Sequence, residues 1–569
     1  MKVDKQLLFI SSCSLAVILV GTAGFYILSP DNGFLTAVYQ SIQLFSLESG
    51  VLDNNRQTPV LIEIARWLAL ATLLAVVFAV IQAFLGQAKS IIRIAFAKNH
   101  AIVCGAGRRG TILARAFSKS GKVVVVECEE NTPSLGELRN YGVEIVIGNA
   151  LDKSVLSKAG VSKAKSLVAV TGNDERNLMI CLNVEKHLNP RCELSAGLES
   201  WSLRSFILDR LKSSIRLDSY LTRAAQSLMH RIACEAAKHE HLRKNGVHLL
   251  VEARGDILQE LLRAGILMLQ ISGSQKPCIE ISSAEVGAEA EFNNRFPASN
   301  LVCELKWHTK TANELFPEDI SSGPDFAIFA HPSDMSTLEA AERFWMRHDI
   351  ADDRVIACMH VDKESIQSNN FHKKTKDFTI LNFWSLGLGS KHPMEPEIEE
   401  QAKICHSVYI ANEKSKNPDY GKNGNDIPLE WTQTSERVRN SNRLAAMHHE
   451  VKRCALKTRG NASVSEILAH LSCSEHMRWM AEKAMDGWRW SGSYEASSRV
   501  NEKLKHHLLV PFDRLDKSEI EKDYNSFIWA MDISNENLEH LEISEEAMRM
   551  KSYADALNKN EYKNGQSIF

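Results

Sequence analysis

The sequence carries no surplus of positive charge. Its 569 residues include 67 lysines and arginines against 70 aspartates and glutamates, a formal net charge of -3. Domains that bind the phosphate backbone of nucleic acids usually show a clear basic excess. We therefore expect no nucleic-acid partner. The chain is also too long for one hydrophobic core, because domains usually hold roughly 100 to 200 residues, so several domains are expected.

The sequence also lacks paired cysteines. Its twelve cysteines are scattered singly, without the Cys-x-x-Cys spacing of a zinc or thioredoxin-like site. Eleven of them follow the second apolar run, so most of the chain is expected in a reducing cytoplasm. His448, His449 and His476 could ligate a metal, but no cysteine or carboxylate spacing accompanies them. We expect no metal site.

Two apolar runs near the start of the chain contain no charge. Leu7 to Leu28 holds 22 residues and Trp67 to Leu85 holds 19, and about 20 are needed to cross ~30 Å of hydrocarbon. Lysines and arginines flank the pair, whereas the stretch between them is mainly acidic, which places both termini in the cytoplasm. The sequence predicts a transmembrane hairpin in a lipid bilayer. The alternative is a cleaved signal peptide, whose apolar stretch is usually only ~7 to 15 residues.

The stretch between these runs could form a short helix. Gly33 to Leu47 places five apolar residues on or near one helical face, namely Phe34, Leu35, Val38, Ile42 and Phe45. This pattern fits a re-entrant helix or an amphipathic helix on the outer membrane surface. No segment resembles the TVGYG filter of potassium channels, so a potassium-selective pore is not supported by this loop.

A strand, a glycine loop and an amphipathic helix follow the hairpin. His100 to Cys104 is a predicted buried strand, and Gly105, Gly107 and Gly110 fit the spacing G-x-G-x-x-G. In dinucleotide-binding folds these glycines permit the turn, the approach of pyrophosphate and the packing of helix on sheet. The alternative is that they only turn the chain beside an empty cleft.

Polar residues follow the later strands at matching positions. Glu127 ends the second strand, 22 residues after Gly105, where a carboxylate can hold ribose hydroxyls, which favours NAD(H) or another adenine nucleotide over NADP. Ligands of doubly wound sheets bind outside the carboxyl ends of the strands. Arg108 and Arg109 could contact phosphate or simply begin a solvated helix. The candidate cofactor-binding residues are Gly105, Gly107, Arg108, Arg109, Gly110, Glu127, Asn149, Thr171 and Asp174.

These segments resemble a known regulator domain. VCGAGRRGTILARAF, VVVVE, VEIVIGNALD and LVAVTGNDERNLMICLNVEKHLNP are similar to the RCK or TrkA-N domain, a nucleotide-binding module of prokaryotic potassium channels and transporters. The resemblance covers about Asn99 to Asp218. It implies a ligand-sensing Rossmann fold that dimerises and acts on a pore in the inner (plasma) membrane of a prokaryote. Asn149 replaces an acid usual in the family, which leaves the nucleotide preference open.

A second alternation of strands and helices begins at Val247. It predicts six further apolar strands in a parallel sheet, at residues 247–251, 278–281, 301–305, 325–330, 355–361 and 378–384. The loop after its first strand has one glycine, Gly255, instead of the three in the first repeat, and Asp256 would repel a pyrophosphate. We therefore expect this loop to pack against the domain rather than to bind a cofactor. Between the repeats, a helix is predicted to bury Leu221, Ala225, Leu228 and Ile232.

The C-terminal part is rich in tryptophan, with five of the ten between Trp431 and Trp529. SNRLAAMHHEVKR, SEHMRWMAEKAMDGWRW, HHLLVPFDRL and EKDY resemble the ryanodine-receptor-type (RyR) domain, a small helical fold, which implies an interaction or ligand-sensing role. A possible ligand pocket is formed by Glu475, His476, Arg478, Trp479, Trp488 and Arg489. Core packing with an internal Glu to Arg pair is the alternative interpretation of the same residues.

The fold class is therefore a membrane α-hairpin plus α/β, with two tandem doubly wound Rossmann-like domains, the second degenerate, followed by a small all-α RyR-type domain. The expected parts are a membrane hairpin (1–98), a TrkA-N domain (99–220), a connecting helix (221–244), a degenerate Rossmann-like domain (245–390), a linker (391–429), an RyR-type domain (430–530) and an acidic tail (531–569) with one helix at about 544–557.

These features predict a nucleotide-sensing, channel-like membrane protein without enzymatic activity or catalytic residues. Two spans cannot enclose a pore, so a conducting form would be a dimer or tetramer. One alternative is a non-conducting membrane sensor or scaffold, for example in nucleotide signalling. A membrane-anchored NAD-dependent oxidoreductase is less expected, because no Tyr-x-x-x-Lys pair follows the cofactor domain.

Overall fold

The computed structural model describes residues 2–46, 59–189, 191–208, 215–310, 323–360, 378–388, 396–422, 426–460, 462, 464–495, 498–500 and 503–528. The chain divides into two compact units, Met1–Phe96 and Ala97–Phe569. The acidic tail and its predicted helix lie outside the described residues.

The helices, in chain order, are α1 Lys2–Leu28, α2 Phe34–Gln43, α3 Val60–Ala95, α4 Arg108–Ser118, α5 Ser134–Asn140, α6 Lys153–Lys158, α7 Asp174–His187, α8 Trp201–Leu208, α9 Tyr220–Ala237, α10 Glu240–Asn245, α11 Gly255–Met268, α12 Ala288–Arg295, α13 Asp334–Arg347, α14 Phe383–Leu388, α15 Pro396–Lys416, α16 Glu436–Lys457, α17 Val464–Met485 and α18 Lys517–Ile528.

The strands are β1 Ala101–Cys104, β2 Val123–Glu127, β3 Glu144–Ile147, β4 Ser166–Ala169, β5 Glu193–Gly197, β6 Arg216–Asp218, β7 His248–Ala253, β8 Cys278–Ser282, β9 Glu304–His308, β10 Phe326–Ala330, β11 Val355–Met359, β12 Thr379–Asn382, β13 Arg489–Trp490 and β14 Lys505–His506.

The first unit contains two helices long and apolar enough to cross a membrane, over Leu8–Leu28 and Val60–Ile81. The second of these candidate segments therefore begins earlier than the predicted Trp67. The charged residues that delimited the prediction lie within the helix, where Arg66 Nη1 is 2.9 Å from Glu63 Oε1. This ion pair at three-residue spacing lets the helix continue through both charges.

α2 packs on α1 through small residues rather than through the predicted apolar face. Ala37 and Ser41 of α2 are buried, whereas Phe34, Leu35 and Ile42 are exposed. The Ser41 and Thr22 hydroxyl oxygens are 3.1 Å apart, and a Cβ built at Gly21 would lie 2.8 Å from Ser41 Cβ. Small residues let helices approach closely in apolar surroundings.

The second unit begins with a six-stranded parallel sheet in the order β3-β2-β1-β4-β5-β6. Its central strands are short apolar runs, and the neighbouring β2 is buried over four successive valines, as expected for a parallel sheet covered on both faces. The order is that of a doubly wound dinucleotide-binding fold, whose strand order reverses between β1 and β4. The predicted first strand, His100 to Cys104, is confirmed to within one residue at its ends, and the second strand ends at Glu127 as predicted.

A second six-stranded parallel sheet has the order β12-β11-β10-β7-β8-β9. Counted within its own repeat this is the same doubly wound order, so two tandem Rossmann-like sheets are present. Of the six predicted strands, the third differs most, and the sixth is shorter than predicted. The third begins at Glu304 because a 3-10 turn takes Ser299–Leu301. The sixth ends at Asn382, whose side-chain oxygen accepts the Ser385 backbone N–H at 3.0 Å and begins α14.

α9 lies between the two repeats and buries the predicted face, Leu221, Ala225, Leu228 and Ile232, together with four further alanines. It packs against α11, α14 and α16. The single connecting helix predicted at 221–244 is present as two helices, α9 and α10, and α9 is an element of the core.

The predicted linker at 391–429 is wrong for its first half. α15 occupies Pro396–Lys416, and it buries Ala402, Cys405 and Ile410. The cluster Asn417, Pro418 and Gly421 ends this helix rather than marking an extended connection.

The C-terminal helices share one core with the second repeat. A single cluster of buried side chains includes residues of β7, α9 and α11 together with residues of α16, α17 and α18. Within the described chain the predicted all-α domain therefore packs as part of the second unit, with β13 and β14 as a small parallel addition.

The close approach of α14 and α9 is testable. A Cβ built at Gly387 would lie 2.3 Å from the Tyr220 carbonyl oxygen, whereas one at Gly136, also helical, meets nothing within 4 Å. Gly387→Ala is expected to lower the free energy of unfolding by about 1 to 3 kcal/mol through overpacking. Gly136→Ala is the control and should not destabilise. Chemical denaturation of the purified chain measures both, and equal stability of the two variants would contradict this packing.

Candidate functional site

A cleft of about 450 Å³ lies at the carboxyl ends of the first sheet. It opens between β1 and β4, where the strand order reverses and doubly wound folds bind their ligands. Seven of the nine predicted cofactor residues line it, namely Gly105, Gly107, Arg108, Arg109, Glu127, Asn149 and Thr171. These seven predicted residues therefore lie around one continuous cleft.

Two glycines of the loop are required by close contacts. Gly105 has a φ of +107°, and a Cβ there would lie 2.8 Å from the Val170 carbonyl oxygen. A Cβ at Gly110 would lie 1.9 Å from the Gly105 carbonyl oxygen. Gly110 does not line the cleft; its role is to let α4 pack on the loop, as the spacing predicts.

Glu127 holds the glycine loop in place. One carboxylate oxygen accepts the Ala106 N–H at 2.5 Å, and the other accepts the N–H groups of Cys128 and Glu129 at 2.7 and 3.2 Å. The Ala106 carbonyl in turn accepts hydroxyls from Thr111 and Ser134. A carboxylate offers about four acceptor sites, so Glu127 keeps little capacity for a ribose hydroxyl while it orders the loop.

A buried asparagine orders the loop after β4. Asn177, fully buried on α7, accepts the backbone N–H and the hydroxyl of Thr171 with Oδ1, both at 2.8 Å, and donates to the Gly197 carbonyl. Asp174 points away from the cleft, because its carboxylate accepts the Ser200 N–H at 2.7 Å. The sequence analysis missed Asn177, whose signal was an amide on the buried face of α7.

The three arginines at the cleft differ in their exposure and in their ion pairing. Arg109 Nη1 lies 2.8 Å from Glu199 Oε1, so its guanidinium is already engaged. Arg108 is exposed and begins α4 after Gly107. Arg176, which the prediction did not include, is exposed and lines the same cleft. Asn149 also lines it, and its side chain accepts the Leu151 N–H at 3.0 Å.

Trp384 of α14 enters this cleft from the second repeat. Its indole N–H donates to His360 Nδ1 at 2.9 Å, and His360 Nε2 donates to the His331 carbonyl at 3.2 Å. These bonds fix the Nε2-protonated tautomer of His360. No sequence pattern near the glycine loop could have found Trp384, because only the packing of α14 on α9 and α4 brings it there.

At the corresponding edge of the second sheet, acidic side chains contact neighbouring residues of the same repeat. Glu252 Oε1 lies 2.9 Å from His331 Nε2, and the Gly255 N–H donates to Glu285 at 3.0 Å. The expectation that the second repeat packs there instead of binding a cofactor stays a prediction.

Two of the six residues proposed for a C-terminal pocket form a buried ion network. Glu475 accepts from Arg478 at 2.9 and 3.0 Å and from Lys452, and Arg478 donates to Glu482 at 3.0 Å. All four side chains are buried. The neighbouring cations hold the pKa of Glu475 below its usual range despite burial. The internal Glu to Arg pair, the alternative interpretation, is what the structure contains.

The other four residues lie apart from this network. His476 contacts Asp523 at 3.1 Å and the Val510 carbonyl at 2.8 Å; these acceptors raise its pKa against the opposing effect of burial. Trp479 and Trp488 pack edge-on against His506, and Arg489 is exposed on β13. Glu475 and Arg478 are therefore held by internal ion pairs, and His476, Trp479 and Trp488 by contacts with neighbouring residues.

The first sheet and its glycine loop define the class of this domain. Residues 101–201 match the family model of the TrkA-N domain, which confirms the resemblance for the first Rossmann repeat. The resemblance of residues 431–528 to the RyR domain stays a prediction.

Named relatives share this part of the chain. A Trk system potassium uptake protein TrkA homolog of Pyrococcus abyssi is 38% identical over 91 residues, 16% of this chain and 39% of that protein. Potassium channel protein 1 of Methanocaldococcus jannaschii is 32% identical over 112 residues, 20% of this chain and 33% of that protein. The chain thus spans about a third to two fifths of the length of these relatives.

One solved structure, described as the GsuK channel bound to NAD, covers 68% of this chain and 83% of its own. The sequence identity is 12% and the TM-score is 0.35.

α17 is joined to the second repeat by buried polar contacts. His470 Nε2 donates to the Ile271 carbonyl at 2.8 Å, and the Ser474 hydroxyl donates to the Gln270 carbonyl. Burial lowers the pKa of His470 to about 4. The folded chain therefore holds this imidazole neutral.

A pH dependence of stability follows from His470. Because the unfolded imidazole takes up its proton near pH 6.5, stability is full above that pH and falls as the pH drops towards 4. The loss attributable to His470 is about 3 kcal/mol. His470→Gln, which keeps a donor, should flatten this slope, whereas His241→Gln at an exposed site should not. Urea unfolding between pH 4 and 7 measures it, and parallel slopes for wild type and His470→Gln would contradict the assignment.

Proposed function

We propose that this protein is a membrane protein whose potassium-related transport is controlled by an adenine nucleotide, NAD(H) foremost, bound in the cleft of the first Rossmann repeat. The observation that carries the proposal is the cleft itself, which combines the strand-order reversal, the glycine loop and acidic residues after β2. The residues proposed to bind are Gly105, Gly107, Arg108, Arg109, Glu127, Asn149 and Thr171.

The phosphate groups would lie at the start of α4. Gly107 precedes this helix in extended conformation, and the first N–H groups of a helix together with its dipole favour an anion. Arg108 and Arg176 supply exposed guanidinium groups on either side of the loop, which can bind phosphate bidentately.

The part of the cleft where we place the ribose is lined by acidic residues. Glu127 and Glu129 both line the cleft after β2, so a 2'-phosphate would meet like charge there. Ribose would have to use the remaining acceptor capacity of Glu127 or draw the carboxylate away from the Ala106 N–H. Nucleotide binding would in that case alter the order of the glycine loop.

Trp384 gives the bound nucleotide a route to the second repeat. An aromatic ring in the cleft can stack on a base, and this ring is tied through His360 to the second sheet. A ligand shifts an equilibrium only by binding one arrangement more tightly than another. The contact with Trp384 is the differential interaction that we propose.

The membrane part of the proposal depends on α1 and α3. Two spans per chain require assembly as a dimer or tetramer to enclose a pore, with both termini in the cytoplasm of a prokaryote. The large apolar side chains exposed on α2, such as Phe34 and Leu35, would then face lipid or a neighbouring chain.

Nucleotide binding is testable by calorimetry on the full chain in detergent. NAD+, NADH and ADP should bind, and NADP+ should bind at least tenfold more weakly. Gly110→Ala should reduce affinity more than tenfold, because its Cβ would collide with the Gly105 carbonyl oxygen. Gly121→Ala, where a Cβ meets nothing within 4 Å, is the control. Equal affinity for NAD+ in both variants would reject this site.

Transport is testable with proteoliposomes loaded with potassium. Flux through the wild-type protein should change at least threefold on adding NAD+ or NADH at the cytoplasmic face. Flux through Gly110→Ala should not respond. Nucleotide binding without any potassium flux would reject the transport part of the proposal and identify a non-conducting sensor. Flux through the wild-type protein that does not change on adding nucleotide would reject the proposal that a nucleotide regulates transport.

A further inference from the structure

A second cavity lies where the first repeat, the second repeat and the C-terminal helices meet. Its volume is about 140 Å³, and its wall includes residues of β6, α8 and α9, of α11, and of α15, α16 and α17. Among the described residues, none lines both this cavity and the nucleotide cleft. A cavity of about 150 Å³ holds one benzene molecule, so this volume suits a compact ligand and not a whole dinucleotide.

Guanidinium groups are prominent in the wall of this cavity. Six arginines line it, namely Arg204, Arg216, Arg223, Arg263, Arg437 and Arg443. Their side chains are only 9% to 22% exposed. A guanidinium group carries five N–H donors in a planar fork that matches the oxygens of phosphate. The wall therefore concentrates the donors that recognise an oxyanion.

Two of these arginines share one carboxylate at the end of β6. Asp218 Oδ1 lies 3.0 Å from Arg216 Nε and 3.6 Å from Arg223 Nε, while Asp218 Oδ2 accepts the Ser195 hydroxyl at 2.7 Å. Two guanidinium groups and one carboxylate give this group a formal charge of +1. Burial and the neighbouring Arg216 lower the pKa of Arg223 to about 10, against the opposing effect of Asp218. A nearby anion would favour the charged form.

A second pair of arginines shares Glu260 of α11. Arg204 Nη2 lies 3.3 Å from Glu260 Oε1, and Arg263 Nη1 lies 3.0 Å from Glu260 Oε2. This group also has a formal charge of +1. Burial and the neighbouring Arg263 lower the pKa of Arg204, which Glu260 raises. In the described part of the chain, the buried Nε of Arg263 has no hydrogen-bond partner. One carboxylate thus leaves donors and positive charge unmatched at this position as well.

The carboxylates on α15 and at the start of α16 are matched by arginines of their own. Glu399 and Glu436 contact Arg443 at 2.8 and 2.6 Å. Glu436 also contacts a second guanidinium group, that of Arg439, at 3.4 Å. Two carboxylates therefore meet two arginines in this part of the wall, and they do not offset the positive charge around Asp218.

The carboxylates at the end of α17 have cationic partners too. Glu482 accepts from Arg478 at 3.0 Å and lies 3.2 Å from the Lys483 ammonium. Asp486 contacts Arg437 at 2.8 Å, and burial raises the pKa of the Asp486 carboxyl group. The wall and its direct partners therefore keep the positive surplus of the two arginine pairs. Buried positive charge is costly unless it is compensated, and an anion in the cavity would remove that cost.

We propose that this cavity binds one phosphate-type oxyanion through four arginines, Arg204, Arg216, Arg223 and Arg263. The bound anion would link β6, α8 and α9 to α11. The sequence analysis missed the site because these arginines are distant in sequence and line one cavity only in the folded chain. The site does not depend on the function proposed for the nucleotide cleft.

The first experiment counts phosphate. The full chain in detergent is equilibrated with radiolabelled inorganic phosphate at constant ionic strength, with NAD+ present. One phosphate per chain is expected, and excess chloride should not displace it. Gly110→Ala, which alters the nucleotide cleft, should bind phosphate as the wild type does. Absence of saturable binding to the wild type would overturn the proposal, and so would loss of binding in Gly110→Ala, because the phosphate would then lie in the cleft.

The second experiment removes one arginine from each pair. Arg223→Gln and Arg263→Gln each leave the shared carboxylate in contact with the other arginine, so neither variant buries an unpaired carboxylate. Each should weaken phosphate binding at least tenfold. Arg139→Gln, at an exposed arginine on α5, is the matched control and should bind as the wild type does. Wild-type affinity in both cavity variants would contradict the site.

The third experiment uses only the wild-type chain, so it does not depend on the folding of any variant. Unlabelled pyrophosphate, sulfate and AMP compete with labelled phosphate. Displacement by pyrophosphate or sulfate but not by AMP would identify a free oxyanion as the ligand. Displacement by AMP as well would identify a phosphate group carried on a nucleoside, and either result supports the site. Failure of all three to displace the label would overturn the proposal.

Discussion

The burial of α9 is the constraint on which the rest of the second unit depends. Alanines at 224, 225, 233, 236 and 237 let α11, α14 and α16 approach this helix closely, and protein interiors tolerate little change of volume at such contacts. Gly387 brings α14 to the Tyr220 carbonyl. This contact, together with the packing of α14 on α4, positions Trp384 beside the glycine loop, so the cleft of one repeat is completed by the other.

Much of the cleft could be predicted because its residues follow strand ends in chain order. The spacing of Gly105, Gly107 and Gly110 and the position of Glu127 are local properties of one strand-loop-helix unit. The role of Glu127 was less predictable. Its carboxylate accepts three backbone N–H groups. The spacing in sequence does not distinguish a carboxylate that orders a loop from a carboxylate that binds ribose.

What escaped prediction depends on contacts between distant segments. Trp384 reaches the cleft through helix packing, and the arginines that share Asp218 and Glu260 line one cavity only in the folded chain. α15 was interpreted as a linker because Pro418 and Gly421 follow it, and these residues only end the helix. The pairing of Glu475 with Lys452 escaped prediction for a related reason, because Lys452 lies on a different helix, and Arg478 pairs with Glu482 on its own helix.

The helices after residue 436 and the second sheet bury one continuous apolar cluster. Such a cluster cannot be divided without exposing its interior to water. A chain truncated between α15 and α16 would therefore expose an apolar surface that chaperones and proteases recognise. The rest of the second unit therefore needs the C-terminal helices in order to fold. This dependence limits the replacement of these helices by another domain through recombination.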